Sequence, residues 1–163
     1  MRFPHPALKR EAGAVAESEL GAAREIAQAL SATMRSFPGC VGIAANQIGE
    51  LTRVIVVDVS VNPKATTKSG LLQLVNPVIV ASEGSEVARE GCLSIPDYTA
   101  NVRRATSIAV EALSPGGEPL RIETDGFEAR CLIHEIDHLD GLLFLDRVDS
   151  LTSDVFRRKK RAG

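Results

Sequence analysis

The chain has 163 residues, one domain's worth of length, and a globule of that size buries about 70% of its extended-chain surface, enough for a core with a sheltered pocket. Nineteen basic against 21 acidic residues leave a formal charge of −2, so no global field draws nucleic acid or an anionic membrane. No stretch of about 18 apolar residues is present to span a bilayer, and Met1-Arg2-Phe3-Pro4-His5-Pro6 resembles neither a signal nor a transit peptide.

In chain order, Leu20, Ala23, Ala27, Leu30 and Met34 form the stripe of an amphipathic helix over 18–36, with Ser18 as its cap and Phe37-Pro38-Gly39 as its end. Gly39 to Gly49 is too rich in Gly, Ala and Asn for a regular strand. Val54-Ile55-Val56-Val57-Asp58-Val59 reads as a buried strand, and Leu71–Val75 with Val78–Val80 as another, broken at Asn76-Pro77. Residues 62–70 are polar and predict a surface loop. Alternation in Ser107–Leu113 and Pro119–Thr124 around Ser114-Pro115-Gly116-Gly117 predicts a β-hairpin. Asp125-Gly126 opens a second helix, Phe127 to Leu139, closed by Asp140-Gly141. A short basic helix is expected from Thr152 to Arg161. The whole predicts an α+β fold in one domain over 1–163, mostly antiparallel sheets surrounding one helix.

Chemistry concentrates in Leu132-Ile133-His134-Glu135-Ile136-Asp137-His138-Leu139-Asp140-Gly141. Residues four apart on a helix lie one above the other, so His134 and His138 can grip a single ion. Glu135 is rotated about 100° away. It is poorly placed as a third ligand but well placed to take a proton from a water on the ion. A bare H-E-x-x-H also describes an ordinary surface helix. Ile133, Ile136 and Leu139 argue for burial, and buried imidazoles and carboxylates need partners that an ion supplies.

Cys92, in Arg89-Glu90-Gly91-Cys92-Leu93-Ser94, is a credible third ligand, although most free cysteines are merely small buried hydrophobes. A thiolate and two imidazoles leave a fourth position for water, the pattern of a catalytic site. Cys40 and Cys131 are read as buried hydrophobes. The three cysteines form no disulfide framework, which suits a reducing cytoplasm. Glu90 either orients a ligand or makes a salt bridge, and Asp137 is either a partner of a ligating histidine or a surface acid. In Cys40-Val41-Gly42-Ile43-Ala44-Ala45-Asn46-Gln47, small residues let a substrate backbone lie close. The Gln47 amide, paired with the Leu93 N–H, could hold an oxyanion.

Gly-Ile-Ala-Ala-Asn-Gln, then Glu-Gly-Cys-Leu-Ser, then His-Glu-Ile-Asp-His-Leu-Asp-Gly together resemble peptide deformylase along nearly the whole chain. The resemblance implies that Cys92, His134 and His138 bind a divalent metal, natively Fe²⁺ with Zn²⁺, Ni²⁺ or Co²⁺ as substitutes. It implies that Glu135 is the acid/base and that Gln47 and Leu93 form the oxyanion site. Substrate would lie along Val41, Gly42, Glu90 and Gly91 as an added strand, and the implied reaction removes formyl from N-formylmethionyl nascent peptides in the cytoplasm. The basic tail Arg157-Arg158-Lys159-Lys160 and Arg161 reads by itself as a solvated terminus, and the resemblance suggests that it docks to the ribosome; no membrane or DNA partner is expected. The sequence departs from the family pattern at Cys40, at Ile133 where Gln is common, at Asp97-Tyr98-Thr99 where an Arg often holds the peptide, and at Arg130 near the methionine pocket. The alternatives are an H-E-x-x-H metallopeptidase and a weakly active binder of blocked N-termini.

Overall fold

In the computed structural model, which describes residues 1–158, strand β2 (Val54–Val57) is buried at every position. Successive strand side chains leave on opposite faces. Ile55 and Val57 pack into one apolar cluster with Ala129, Leu132, Ile136 and Leu139 of helix α2 (Gly126–Leu139). Val54 and Val56 pack into another with Ala23, Ala27, Leu30 and Met34 of helix α1 (Leu20–Ser36). A strand covered by a helix on each face must be apolar throughout, which is why this run does not alternate.

Four further strands complete the antiparallel sheet, in the order β1 (Gly42–Ala44), β2, β3 (Leu72–Glu83), β6 (Ser107–Leu113) and β7 (Pro119–Asp125). A second sheet joins β4 (Glu86–Cys92), β5 (Ile95–Arg104) and β8 (Val155–Arg157). Its inner face, with Ile95, Ala100 and Val102, clusters with Cys92, Leu8, Leu143 and Phe144. The α+β reading, the antiparallel sheets around the histidine-bearing helix and the β6–β7 hairpin all hold.

Several elements differ from expectation. The short helix expected over 152–161 is not formed in its described part: a turn leads into β8, whose Val155, Phe156 and Arg157 pair with Ala100, Thr99 and Tyr98. The open edge of β5 offers a ladder of hydrogen bonds, and that tertiary pairing overrides local helix propensity. Lys159 to Arg161 lie outside the described residues. Strand β3 is continuous where a break was expected. Asn76 takes φ 51° as a bulge, and its amide both accepts from Val15 N–H (2.8 Å) and donates to Val15 C=O (2.9 Å), so the irregularity pins the N-terminal segment. Gly39–Gly49 contains the three-residue strand β1 and a 3-10 turn, Ala45–Ile48. Ser18 is not a cap: it lies within a 3-10 turn, Glu17–Glu19, where the Glu19 carboxylate accepts from Ala16 N–H.

Candidate active site and metal centre

Helix α2 carries His134 and, one turn on, His138 in its last turn, and then stops. Leu142 N–H donates to Asp137 C=O (2.9 Å) and Gly141 N–H to His138 C=O (3.1 Å), with Gly141 at φ 70°, a glycine-terminated cap that satisfies the final carbonyls. The two rings, four residues apart, meet edge to face with centroids 5.0 Å apart, and both are buried. Phe144 stacks beside His134 at 6.3 Å and limits its rotation.

The sulfur comes from the other sheet. Cys92 ends β4 and pairs with Ile95, which leaves Leu93 and Ser94 as a tight turn. Cys92 Sγ stands 3.3 Å from His138 Nε2, and the ligand atoms of Cys92, His134 and His138 all lie within 4.8 Å of one another. The three donors therefore converge although 42 residues separate the first from the second.

Of the two histidines, His134 is held from behind, whereas His138 Nδ1 has no hydrogen-bond partner among the described residues. His134 Nδ1 is bonded to Glu90 Oε2 at 2.9 Å, which leaves Nε2 as the free ring nitrogen. Glu90 in turn accepts from Arg104 (2.9 and 3.0 Å) and from Arg130 (2.8 Å). Arg104 also bonds Asp137, which Arg147 grips through two further bonds, 2.7 and 3.1 Å. Burial alone would raise the Glu90 carboxyl, but the hydrogen bonds from His134 and Arg104 overcome it and hold the group at about 2. Burial and the neighbouring His134 drive His138 well below its ordinary value, so its ring stays neutral.

Glu135 is fully enclosed. Burial, opposed by the pull of His134, pushes its carboxyl up to about 7. Its Oε2 has no hydrogen-bond partner among the described residues. The carboxylate rests on the backbone of Gly42: a methyl group there would sit 2.7 Å from Oε1 and 2.9 Å from Cγ. Gln47 is fixed at both ends of its amide. Oε1 accepts from Ala44 N–H (2.9 Å), while Nε2 donates to Ser94 Oγ (3.0 Å) and reaches Cys92 Sγ at 3.5 Å. These groups line a cleft of about 400 Å³ that includes Val41, Gly42, Gly91 and Leu93. Strands β1 and β4 are edge strands of their sheets, and both border this cleft.

One expectation is corrected here. Glu90 was grouped with substrate-binding positions, yet both its oxygens are taken by Arg104, Arg130 and His134, so its carboxylate orients a histidine instead. Arg130, the departure noted near the methionine pocket, does line the cleft, but its guanidinium is taken up by Glu90 and the carbonyls of Val102 and Glu86, each at 2.8 Å, and the residue is buried. Cys131 is buried, as read from sequence. Cys40 is half-buried, its thiol donates to Gly42 C=O at 3.2 Å, and burial raises it to about 11. Sequence reasoning missed Arg104, Ser94 and Asn46, whose side-chain amide donates to His138 C=O. For Arg104 a signal exists: Ala100, Val102 and Arg104 are the inward positions of an alternating strand.

Comparison with known proteins agrees with this geometry. The family model described as polypeptide deformylase matches residues 1–154. The peptide deformylase of Syntrophobacter fumaroxidans is 39% identical over 157 residues, 96% of this chain and 89% of that protein. That of Thermodesulfovibrio yellowstonii is 39% identical over 158 residues, 97% and 93% of the respective chains. Among solved structures, a Met-Ala-Ser-bound class I type b peptide deformylase from Acinetobacter baumannii superposes with a TM-score of 0.83 at 36% identity, over 90% of this chain and 95% of that one. With its sulfur and two imidazoles converging beside a buried glutamate, the chain belongs to the polypeptide deformylase family.

Proposed function

We propose that this chain is the enzyme that hydrolyses the formyl group from N-formylmethionyl nascent peptides and releases formate. The observation that carries the reading is the convergence of Cys92, His134 and His138 within 4.8 Å, next to the enclosed Glu135. The donor set suits a divalent transition ion: one sulfur and two imidazole nitrogens, one ring already oriented through Nδ1 by Glu90. When bound, such an ion acidifies a water and polarises the formyl oxygen. We assign Fe²⁺ as the native ion on the strength of the family resemblance, with zinc, nickel or cobalt able to occupy the same ligands.

Glu135 takes the proton of the attacking water as its oxygen adds to the formyl carbon. A carboxyl near neutrality can give that proton back, here to the departing nitrogen as the C–N bond breaks. Gln47 Nε2 and the Leu93 N–H are assigned to the oxygen that gains charge. A formyl carbon carries only hydrogen, so a cleft this crowded around Gly42 and Glu135 excludes larger acyl groups by size. The edges of β1 and β4, at Val41, Gly42 and Gly91, are assigned to the peptide backbone as an added strand.

The metallopeptidase reading is set aside because the third donor is an upstream sulfur, and an H-E-x-x-H peptidase takes its third ligand downstream. Among the described residues no helix is long and apolar enough to cross a membrane; a cytoplasmic site of action and a ribosome contact through the basic tail are parts of this proposal. So is a single catalytic unit over 1–163. The test compares formate release from formyl-Met-Ala-Ser with cleavage of the unblocked peptide. Glu135→Gln should retain metal and lose about 10²- to 10⁴-fold in kcat. Turnover near that of the unmodified protein removes Glu135 from its role, and cleavage of the unblocked peptide overturns the deformylase assignment.

A further inference from the structure

The chain is acidic overall, yet the mouth of its cleft is not. Four cations line the cleft, Lys64, Arg89, Arg130 and Arg158, against two acids, Glu90 and Glu135. Arg130 is consumed by Glu90, and Glu90 and Glu135 are both buried. Lys64, Arg89 and Arg158 therefore face the open cleft without an offsetting acid, and among the described residues none of the three forms an ion pair.

Two of these cations are set in place by the C-terminal strand. Arg158 follows β8, and its backbone N–H donates to Asp97 C=O at 2.8 Å, which brings it beside the start of β5. Its guanidinium lies over Gly91 so closely that a methyl group on that residue would collide with Nη2. Arg89 stacks on Phe156 of β8 with 3.6 Å from its guanidinium carbon to the ring centroid, and its Nη1 donates to Thr99 Oγ1 at 3.2 Å. Stacking limits the side-chain freedom an arginine must otherwise lose on binding. Strand β8 is thus a bracket that presents two guanidinium groups along the edge strand β4.

We propose that Arg158 and Arg89 are specificity-determining residues, selecting formylated peptides that carry an acidic side chain at the second or third position. This rests on the deformylase reading and adds to it a substrate preference. Each exposed cation–carboxylate contact is expected to change kcat/KM about two- to fivefold, and repulsion of a lysine widens the spread between acid and base to about tenfold.

The experiment uses the metal-loaded full chain and measures formate release from formyl-Met-Ala-X-amide and formyl-Met-X-Ala-amide, with X as Asp, Ser or Lys. The expected order in kcat/KM is Asp over Ser over Lys in at least one series. The spread should be carried by KM and shrink as salt rises from about 0.02 to about 0.3 M. Arg158→Ala should collapse the Asp-to-Lys ratio and Arg158→Lys should restore most of it. The ratio is read within each variant, so a general loss of folded protein cancels. Equal kcat/KM for Asp, Ser and Lys, or an unchanged ratio in Arg158→Ala, overturns the inference. Turnover of the Ser peptide with a flat ranking defeats this inference alone, whereas no formate from any of the peptides defeats the deformylase reading beneath it.

Discussion

At the scale of single residues, the site depends on contacts that leave no room for an extra carbon. Gly42 is the sharpest case, because its missing side chain is the space that Glu135 occupies. Gly42→Ala puts a methyl group 2.7 Å from Oε1 and 2.9 Å from Cγ, so the carboxylate must shift. A displacement near 1 Å can cost about 100-fold. The expected outcome is a kcat lowered by about 10- to 100-fold with metal content unchanged, checked by formate release alongside metal analysis. Glu90 makes a different demand, since its carboxyl titrates at about 2 in the folded protein against about 4.3 in an unfolded chain. A depressed carboxyl contributes stability above its unfolded value, and that contribution disappears as pH falls toward 2. The unfolding free-energy gap between the native chain and Glu90→Gln, measured by denaturant on metal-free protein, should therefore be widest near neutrality. It should narrow between about pH 4.5 and about pH 2. A gap constant over that range contradicts the charged network around Arg104.

At the scale of elements, helix α2 is defined as much by its end as by its stripe. Gly141 holds φ 70°, and a methyl group there would meet the backbone carbonyl of Lys9 at 2.8 Å, an obstacle that cannot rotate away. Gly141→Ala combines left-handed strain of about 1–2 kcal/mol with that clash, so thermal unfolding should show a loss of at least about 2 kcal/mol. This helix was legible from sequence because its apolar spacing, its histidine pair and its Asp140-Gly141 terminus all state the same thing. Strands β4 and β5 were not. Glu86–Cys92 mixes charged and small residues because one face of the sheet meets solvent, and the inward series Ala100, Val102 and Arg104 ends in a charge. Arg104 stayed hidden with its strand, although its burial is what ties Glu90 to Asp137. The metal ligands could be read because their chemistry is local or motif-like. The supports behind them could not, because they are set by which strands become neighbours. β8 is the extreme case: Val155 and Phe156 favour a strand, but three residues are too few to announce one, and the free edge of β5 makes it one.

At the scale of the whole molecule, the ligands of one ion come from separate parts of the architecture. His134 and His138 belong to the helix packed on the five-stranded sheet, while Cys92 belongs to the three-stranded sheet. An ion bound by all three joins the two across the cleft, adding to the buried network that already does so through the Arg104–Asp137 and Glu90–His134 bonds. Binding to the folded state alone stabilises by about 2.7 kcal/mol when the free ion is at 100 times its Kd. For a chain of this length that corresponds to roughly 5–10 °C in Tm. Chelation should lower Tm by about that amount. Hydrogen exchange should place the loss unevenly: amides of the β4–β5 hairpin around Cys92 should lose protection first. The amides of β2 should stay protected to the global limit, being sealed between two helices. If chelation instead left Tm unchanged, or loosened β2 as much as β4, the ion would not be bridging the two sheets, and the convergence of the three donors would lose its structural meaning along with its chemical one.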